Sequence, residues 1–114
     1  MTPRRDPQPL LPLTPGVFQV LVALADEERH GYALLRAVEQ QTSGRVRLST
    51  GTLYGIINRL LADDVIAERT SREGRRVYRL TAFGRQLARA EADRLESLLA
   101  AARATRALGR PSEA

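Results

Sequence analysis

Apolar positions along the first half of the chain recur at the spacing of helices that bury one face. Val17, Val20, Leu21 and Leu24 fall at i, i+3, i+4 and i+7, which predicts a first helix. Thr14 is its cap and Pro15 fits the first helical position, where a missing N–H costs nothing. Asp26-Glu27-Glu28 then form a polar break, read as a solvated turn. A second helix is expected from about His30 to Gln41, burying Tyr32, Leu35 and Val38 and ending before Gly44. A third should begin near Ser49 or Thr50 and run to about Asp63, with Leu53, Ile56, Ile57, Leu60 and Leu61 inward.

After this tri-helical core the period changes. Val65 to Arg69 and Arg76 to Leu80 are rich in extended-state residues, and Ser71-Arg72-Glu73-Gly74-Arg75 between them has turn chemistry. This predicts a two-stranded hairpin with Tyr78 and Leu80 toward the core and Val77 and Arg79 outward. Thr81 is the expected cap of a long last helix ending near Arg106. The fold class is therefore mainly α with a small β-hairpin: a winged helix-turn-helix plus a long C-terminal dimerisation helix. The expected divisions are a flexible proline-rich arm over residues 1–12, a winged-helix domain over 13–80, the last helix over 81–106 and a loose tail over 107–114, its loose part starting at Gly109.

A helix followed by a basic hairpin suits duplex DNA, whose major groove admits a helix and whose backbone lies within reach of a wing. With the third helix on a wheel at about 100° per residue, Leu53 at zero puts Ile57, Leu60 and Ile56 on one side. Gly51, Thr52, Gly55, Asn58 and Arg59 then form an outer face from about 140° to 260°. That face has no carboxylate. Gly51 and Gly55 read either as close backbone approach to DNA or as a tolerated weak helix start. Tyr54, at the border of the two faces, either packs in the core or reaches a phosphate with its hydroxyl.

Charge sharpens the picture. The chain has 114 residues, 18 basic against 13 acidic, and a net charge of +5, and every basic residue is arginine. From Arg69 to Arg79 five arginines (Arg69, Arg72, Arg75, Arg76, Arg79) face Glu73 alone. Single-sign charge on a hairpin beside a candidate groove helix points to nucleic acid. Absence of cysteine excludes disulfides, thiolate metal sites and cysteine nucleophiles, and one histidine leaves few ligands for a metal. No phosphate cradle, nucleophile elbow or paired-carboxylate spacing is present, so neither an enzyme nor a cofactor is expected. Arg4-Arg5 ahead of the run from Val17 to Ala25 imitates a twin-arginine export signal, but prolines and Asp6 interrupt it and its apolar part is needed for the core. No stretch approaches the roughly 20 apolar residues of a membrane span. A cytoplasmic protein with no membrane partner is expected.

The run His30-Gly31-Tyr32, then Ser49-Thr50-Gly51-Thr52-Leu53-Tyr54, then Tyr78-Arg79-Leu80-Thr81-Ala82-Phe83-Gly84 resembles the PadR family of bacterial transcriptional regulators, over roughly residues 13 to 104. The resemblance implies a winged-helix repressor, dimeric through its C-terminal helix and often released from DNA by a small molecule, here an effector at the dimer interface. Carried onto this chain, it makes Thr50, Thr52, Tyr54, Asn58 and Arg59 the groove-helix contacts and Arg72, Arg75 and Arg76 the wing contacts. Gly55 departs from the pattern, since the family commonly has proline after the Leu-Tyr pair. The chain is similar to the family's compact subtype with one C-terminal helix.

The last helix also reads independently as an assembly element. Phe83, Leu87, Leu95, Leu98, Leu99 and Ala102 form an apolar stripe on a segment too long for so small a core to cover. Pairing with a second copy would bury the stripe and give two groove helices two-fold symmetry, suited to a palindromic operator. The alternative from another class is a winged-helix interaction module that docks an acidic protein partner without sequence-specific DNA binding.

Overall fold

The computed structural model describes residues 5–108. A short 3-10 turn, Gln8–Leu10, leads into α1 (Pro15–Asp26), β1 (Arg29–His30), α2 (Gly31–Gln41), α3 (Thr50–Ala62), β2 (Ile66–Thr70), β3 (Arg76–Leu80) and α4 (Ala82–Ala104). Three of the helix starts are closed by side-chain hydroxyls, two of them at the expected caps Thr14 and Thr81 and one at Ser49, the expected start of the third helix. The Val17, Thr52 and Gly84 amides donate to the hydroxyls of Thr14, Ser49 and Thr81 at 3.2, 3.1 and 3.0 Å. Each cap satisfies an N–H that has no partner within its own helix.

The core forms where α1, α2 and α3 turn their apolar stripes together, with β3 and the start of α4 closing one side. Val20, Leu21, Leu34, Val38, Leu53, Ile57 and Leu87 are all at most 1% exposed. The α1 stripe is the expected one. On α2 it is rotated by one residue: Leu34, Ala37 and Val38 are buried, Leu35 is half-buried, and Tyr32, expected inside, is 71% exposed. Helical spacing permits both registers. In the observed one Gly31 is buried and lies beneath the Tyr54 hydroxyl.

The sheet has three strands in the order β1-β3-β2, all antiparallel, instead of the expected two. β1 is two residues long, too short to carry an alternating pattern. It pairs Arg29 with Tyr78 and His30 with Val77, which makes β3 the central strand. Val77 does sit on the face opposite Tyr78 and Leu80, yet it is only 5% exposed. Its direct cross-strand neighbours, His30 and Arg69, flank it there. At the wing tip, Ser71 and Gly74 close the expected turn through the bonds Gly74 N to Ser71 O (2.9 Å) and Ser71 N to Arg75 O (2.7 Å).

Thr81 joins the wing to α4. Its backbone N–H donates to the carbonyl of buried Val65 at 3.1 Å, and its hydroxyl lies 2.6 Å from the Asp64 carbonyl and 3.0 Å from that of Val65. Gly84 packs directly on that carbonyl, in space a Cβ would have to share with the oxygen. α4 then diverges from the domain. Gly84, Leu87 and Glu91 are buried, whereas Leu95, Leu98 and Leu99 are 40%, 54% and 52% exposed. Two residues of the expected dimer stripe therefore belong elsewhere: Leu87 is a core residue, and Phe83 packs against the core with the Arg5 guanidinium 4.1 Å from its ring centroid. One helical turn separates them, and both face the chain's own domain because the first turns of α4 lie against it.

The proline-rich arm also departs from expectation over its described part. Leu10, Leu11 and Leu13 pack against the core, and the Arg5 guanidinium donates to the Asp63 carbonyl. The anchor is Glu91, whose carboxylate accepts from the Leu13 amide at 2.6 Å and from the Arg94 guanidinium. Prolines shaped the segment without keeping it off the domain, since three leucines gain by burial. The tail from Gly109 lies outside the described residues.

The Arg94 guanidinium, and to a lesser degree the Leu13 amide, hold the Glu91 carboxyl below its ordinary value of 4.5 against the opposing effect of burial. Its contribution is thus fully present above pH 4.5 and fades as pH falls through the lower native value. Glu91→Ala should destabilise the domain by about 1–3 kcal/mol in urea unfolding at neutral pH, because the Leu13 amide is left unpaired. Glu91→Gln should lose less stability than the unmodified protein between about pH 5 and about pH 3, since it lacks the titrating group.

Candidate nucleic-acid interface

Burial of Leu53, Ile57 and Leu60 turns the opposite side of α3 to solvent. Thr50, Gly51, Thr52, Gly55, Asn58 and Arg59 are all exposed, and the helix holds no carboxylate from Thr50 to Ala62. Nothing lies near the space a side chain would fill at Gly51 or Gly55, so the protein's own packing does not require glycine at either position. The Thr52 hydroxyl accepts from Ser49 at 2.9 Å and keeps its own proton for another acceptor.

The structure separates the candidate contacts into groups. Tyr54 is 43% exposed, with its hydroxyl set over Gly31 at the start of α2. Together with Arg75 of the wing turn and Arg76 at the start of β3 it lines an open recess of about 510 Å³, between α2, α3 and β3. Arg72 stands apart at the wing tip and is exposed. Arg59, although on the outer face of α3, lines a different cleft of about 250 Å³ beneath the N-terminal segment, beside Pro9, Leu10 and Asp63. Sequence reasoning missed two residues of the recess, His30 and Tyr32. The His30-Gly31-Tyr32 run was the available signal, but its tyrosine was assigned to the core.

The basic residues of the wing are not equivalent. Arg69 pairs with Glu28, and that hydrogen bond raises the arginine's pKa and lowers the carboxylate's. Arg76 lies 3.9 Å from Glu68. Arg72, Arg75 and Arg79 form no ion pair among the described residues and remain available to an external anion. The acidic break after α1 likewise has work beyond solvation: Asp26 and Glu27 hold Arg29 at 3.8 and 3.3 Å, while Glu28 holds Arg69. Among the described residues no three acidic or histidine side chains gather to hold a metal, and no helix is long and apolar enough to cross a membrane.

Comparison with known proteins agrees with this geometry. The model of the transcriptional regulator PadR-like family matches residues 20–90. A 37.1 kDa protein in transposon TN4556 of Streptomyces fradiae is 42% identical over 79 residues, which are 69% of this chain and 22% of that protein. The chain thus corresponds to under a quarter of that relative's length. Among solved structures, a PadR family transcription regulator from Clostridium difficile superposes with a TM-score of 0.69 at 17% identity, covering 77% of this chain and 94% of the other. The Bacillus subtilis PadR structure in complex with operator DNA superposes at 0.58 with 21% identity, covering 64% of this chain and 44% of that one. Both show the shared fold. The matched segment runs from α1 through the groove helix and wing into α4, and the chain belongs to the PadR-like family of DNA-binding transcriptional regulators.

Proposed function

We propose that the protein is a homodimeric repressor, acting in the cytoplasm, that occupies a palindromic operator. The observation that carries this reading is the meeting of two surfaces. Tyr54, at the edge of the carboxylate-free outer face of α3, shares a recess with Arg75 and Arg76 at the turn end of the wing, and Arg72 stands exposed in the same turn. On this reading the wing arginines hold phosphates, Thr50 and Tyr54 assist them, and Thr52, Asn58 and Arg59 read base edges. Arginine suits both tasks because its planar fork meets phosphate or guanine with two hydrogen bonds.

Dimerisation is supported by the free half of α4. Leu95, Leu98 and Leu99 are exposed and Ala102 is half-buried, leaving an apolar stripe with no cover in the single chain. An isologous pairing would cover both copies at once and set the two groove helices roughly 34–36 Å apart, one duplex turn. A small-molecule effector held between the paired α4 helices completes the proposal and rests on the family resemblance.

Gel shift on the protein's own promoter region, with excess competitor duplex, tests the reading as a whole; retardation lost equally to any competitor would contradict sequence-specific binding. Replacing Arg75 and Arg76 together by alanine should weaken binding to every duplex and flatten the plot of log K against log salt by about 2, near 0.9 per lost phosphate contact. An unchanged slope would count against wing–phosphate pairing. Asn58→Ala should blunt base preference at its position by about 1–3 kcal/mol, with little effect on random-sequence duplex; equal losses on all DNAs would remove its reading role. The Leu98→Glu, Leu99→Glu double variant should sediment as a folded monomer, since both side chains are exposed in the single chain. A persistent dimer would place the interface elsewhere.

A further inference from the structure

Tyr32 is the residue the DNA-binding proposal leaves unused. It is 71% exposed, more than any other large apolar or aromatic side chain among the described residues, although neighbouring α2 positions are fully buried. Its ring has a neighbour one turn along the helix, the Arg36 guanidinium, 6.0 Å from the centroid. Its hydroxyl has no hydrogen-bond partner among the described residues, and neither does that of Tyr54. Both phenols border the recess between α2 and the wing, which Arg75 and Arg76 also line and into which no carboxylate projects. Gly31 brings the two together. Because it has no side chain, Tyr54 closes onto the first turn of α2, directly beside Tyr32. His30 ties the other wall: its Nδ1 lies 3.3 Å from the carbonyl oxygen of Arg76.

We propose that Tyr32, with Tyr54 and Arg76, seats one backbone phosphate of duplex DNA in this recess. Two neutral O–H donors and a guanidinium bordering one open hollow, with Glu68 holding Arg76 only loosely at 3.9 Å, match the needs of a phosphate: acceptor oxygens on several sides and one negative charge. The inference deepens the DNA-binding reading and rests on it. The recess is bordered by the start of α2, by Tyr54 at the edge of the α3 outer face and by Arg75 and Arg76 of the wing, so it adjoins both surfaces assigned to the duplex. A free phosphorylated ligand presents the same chemistry, and the experiment separates the two.

Tyr32→Phe removes the donor and keeps the ring, and an exposed side chain leaves folding intact. The variant should bind random-sequence duplex about tenfold more weakly, the lower end for a hydrogen bond to a charged group. Because tyrosine is neutral, its salt slope should match that of the unmodified protein, whereas Arg76→Ala should flatten the slope. The two changes combined should cost less than the product of their separate effects, since they share one phosphate. In NMR titration, inorganic phosphate should shift the Tyr32 and Tyr54 ring signals weakly and compete with DNA. Equal duplex affinity for Tyr32→Phe and unmodified protein would overturn the proposal. So would a variant that loses inorganic phosphate but keeps its duplex affinity, which would assign the seat to a free ligand. Failure of the unmodified protein to bind any duplex would remove the DNA-binding reading itself, along with this one.

Discussion

The arrangement depends on the inward packing of Leu53, Ile57 and Leu60. A helix is stiff, so burying three side chains on one stripe fixes the direction of every other side chain on it. Each such burial contributes about 1.5–3 kcal/mol, far more than the hydrogen-bonding preferences of Thr52 or Asn58 could oppose. The exposed, acid-free surface of α3 is thus a consequence of the core. Tyr54 sits at the boundary, in contact with the bare backbone of Gly31, and it links α3 to α2 at the point where the start of β3 approaches both.

A second junction sets where the wing and the long helix stand. The Val65 carbonyl receives the Thr81 amide, the Thr81 hydroxyl reaches the neighbouring Asp64 carbonyl, and Gly84 presses against Val65. One residue therefore ends β3, caps α4 and secures the segment that leads into β2. The departure angle of α4 follows from this contact, as does the division of its apolar residues. Leu87 enters the core, and Leu95, Leu98 and Leu99 are carried beyond it.

Arginine serves several ends here. Arg29 and Arg69 are tied to the acidic turn after α1, and Arg94 offsets the buried carboxylate of Glu91. Arg72, Arg75 and Arg79 carry charge that the described protein does not answer, and Arg76 is only loosely held by Glu68. Total charge pointed in the right direction but overstated the free surface, since pairing with distant acids is a property of the folded chain. Glu28 and Arg69 are 41 positions apart.

The sequence alone determined the helices, their caps and the wing. These follow from local rules, namely apolar spacing for α1 and α3, hydroxyls at Thr14, Ser49 and Thr81, and turn chemistry at Ser71 to Arg75. It also determined that α3 would show an acid-free face, because periodicity assigns inside and outside together. Tertiary structure decided whatever depends on what comes to lie alongside. β1 exists only because β3 offers it an edge, Tyr32 is outside because the α2 stripe that meets the core runs through Leu34 and Val38, and the proline-rich segment lies on the domain because Glu91 receives it. Leu87 and Phe83 were indistinguishable from Leu98 and Leu99 on the helical stripe. Spacing records which side of a helix is apolar, while the length over which that side meets its own domain is set by how the helix leaves the core.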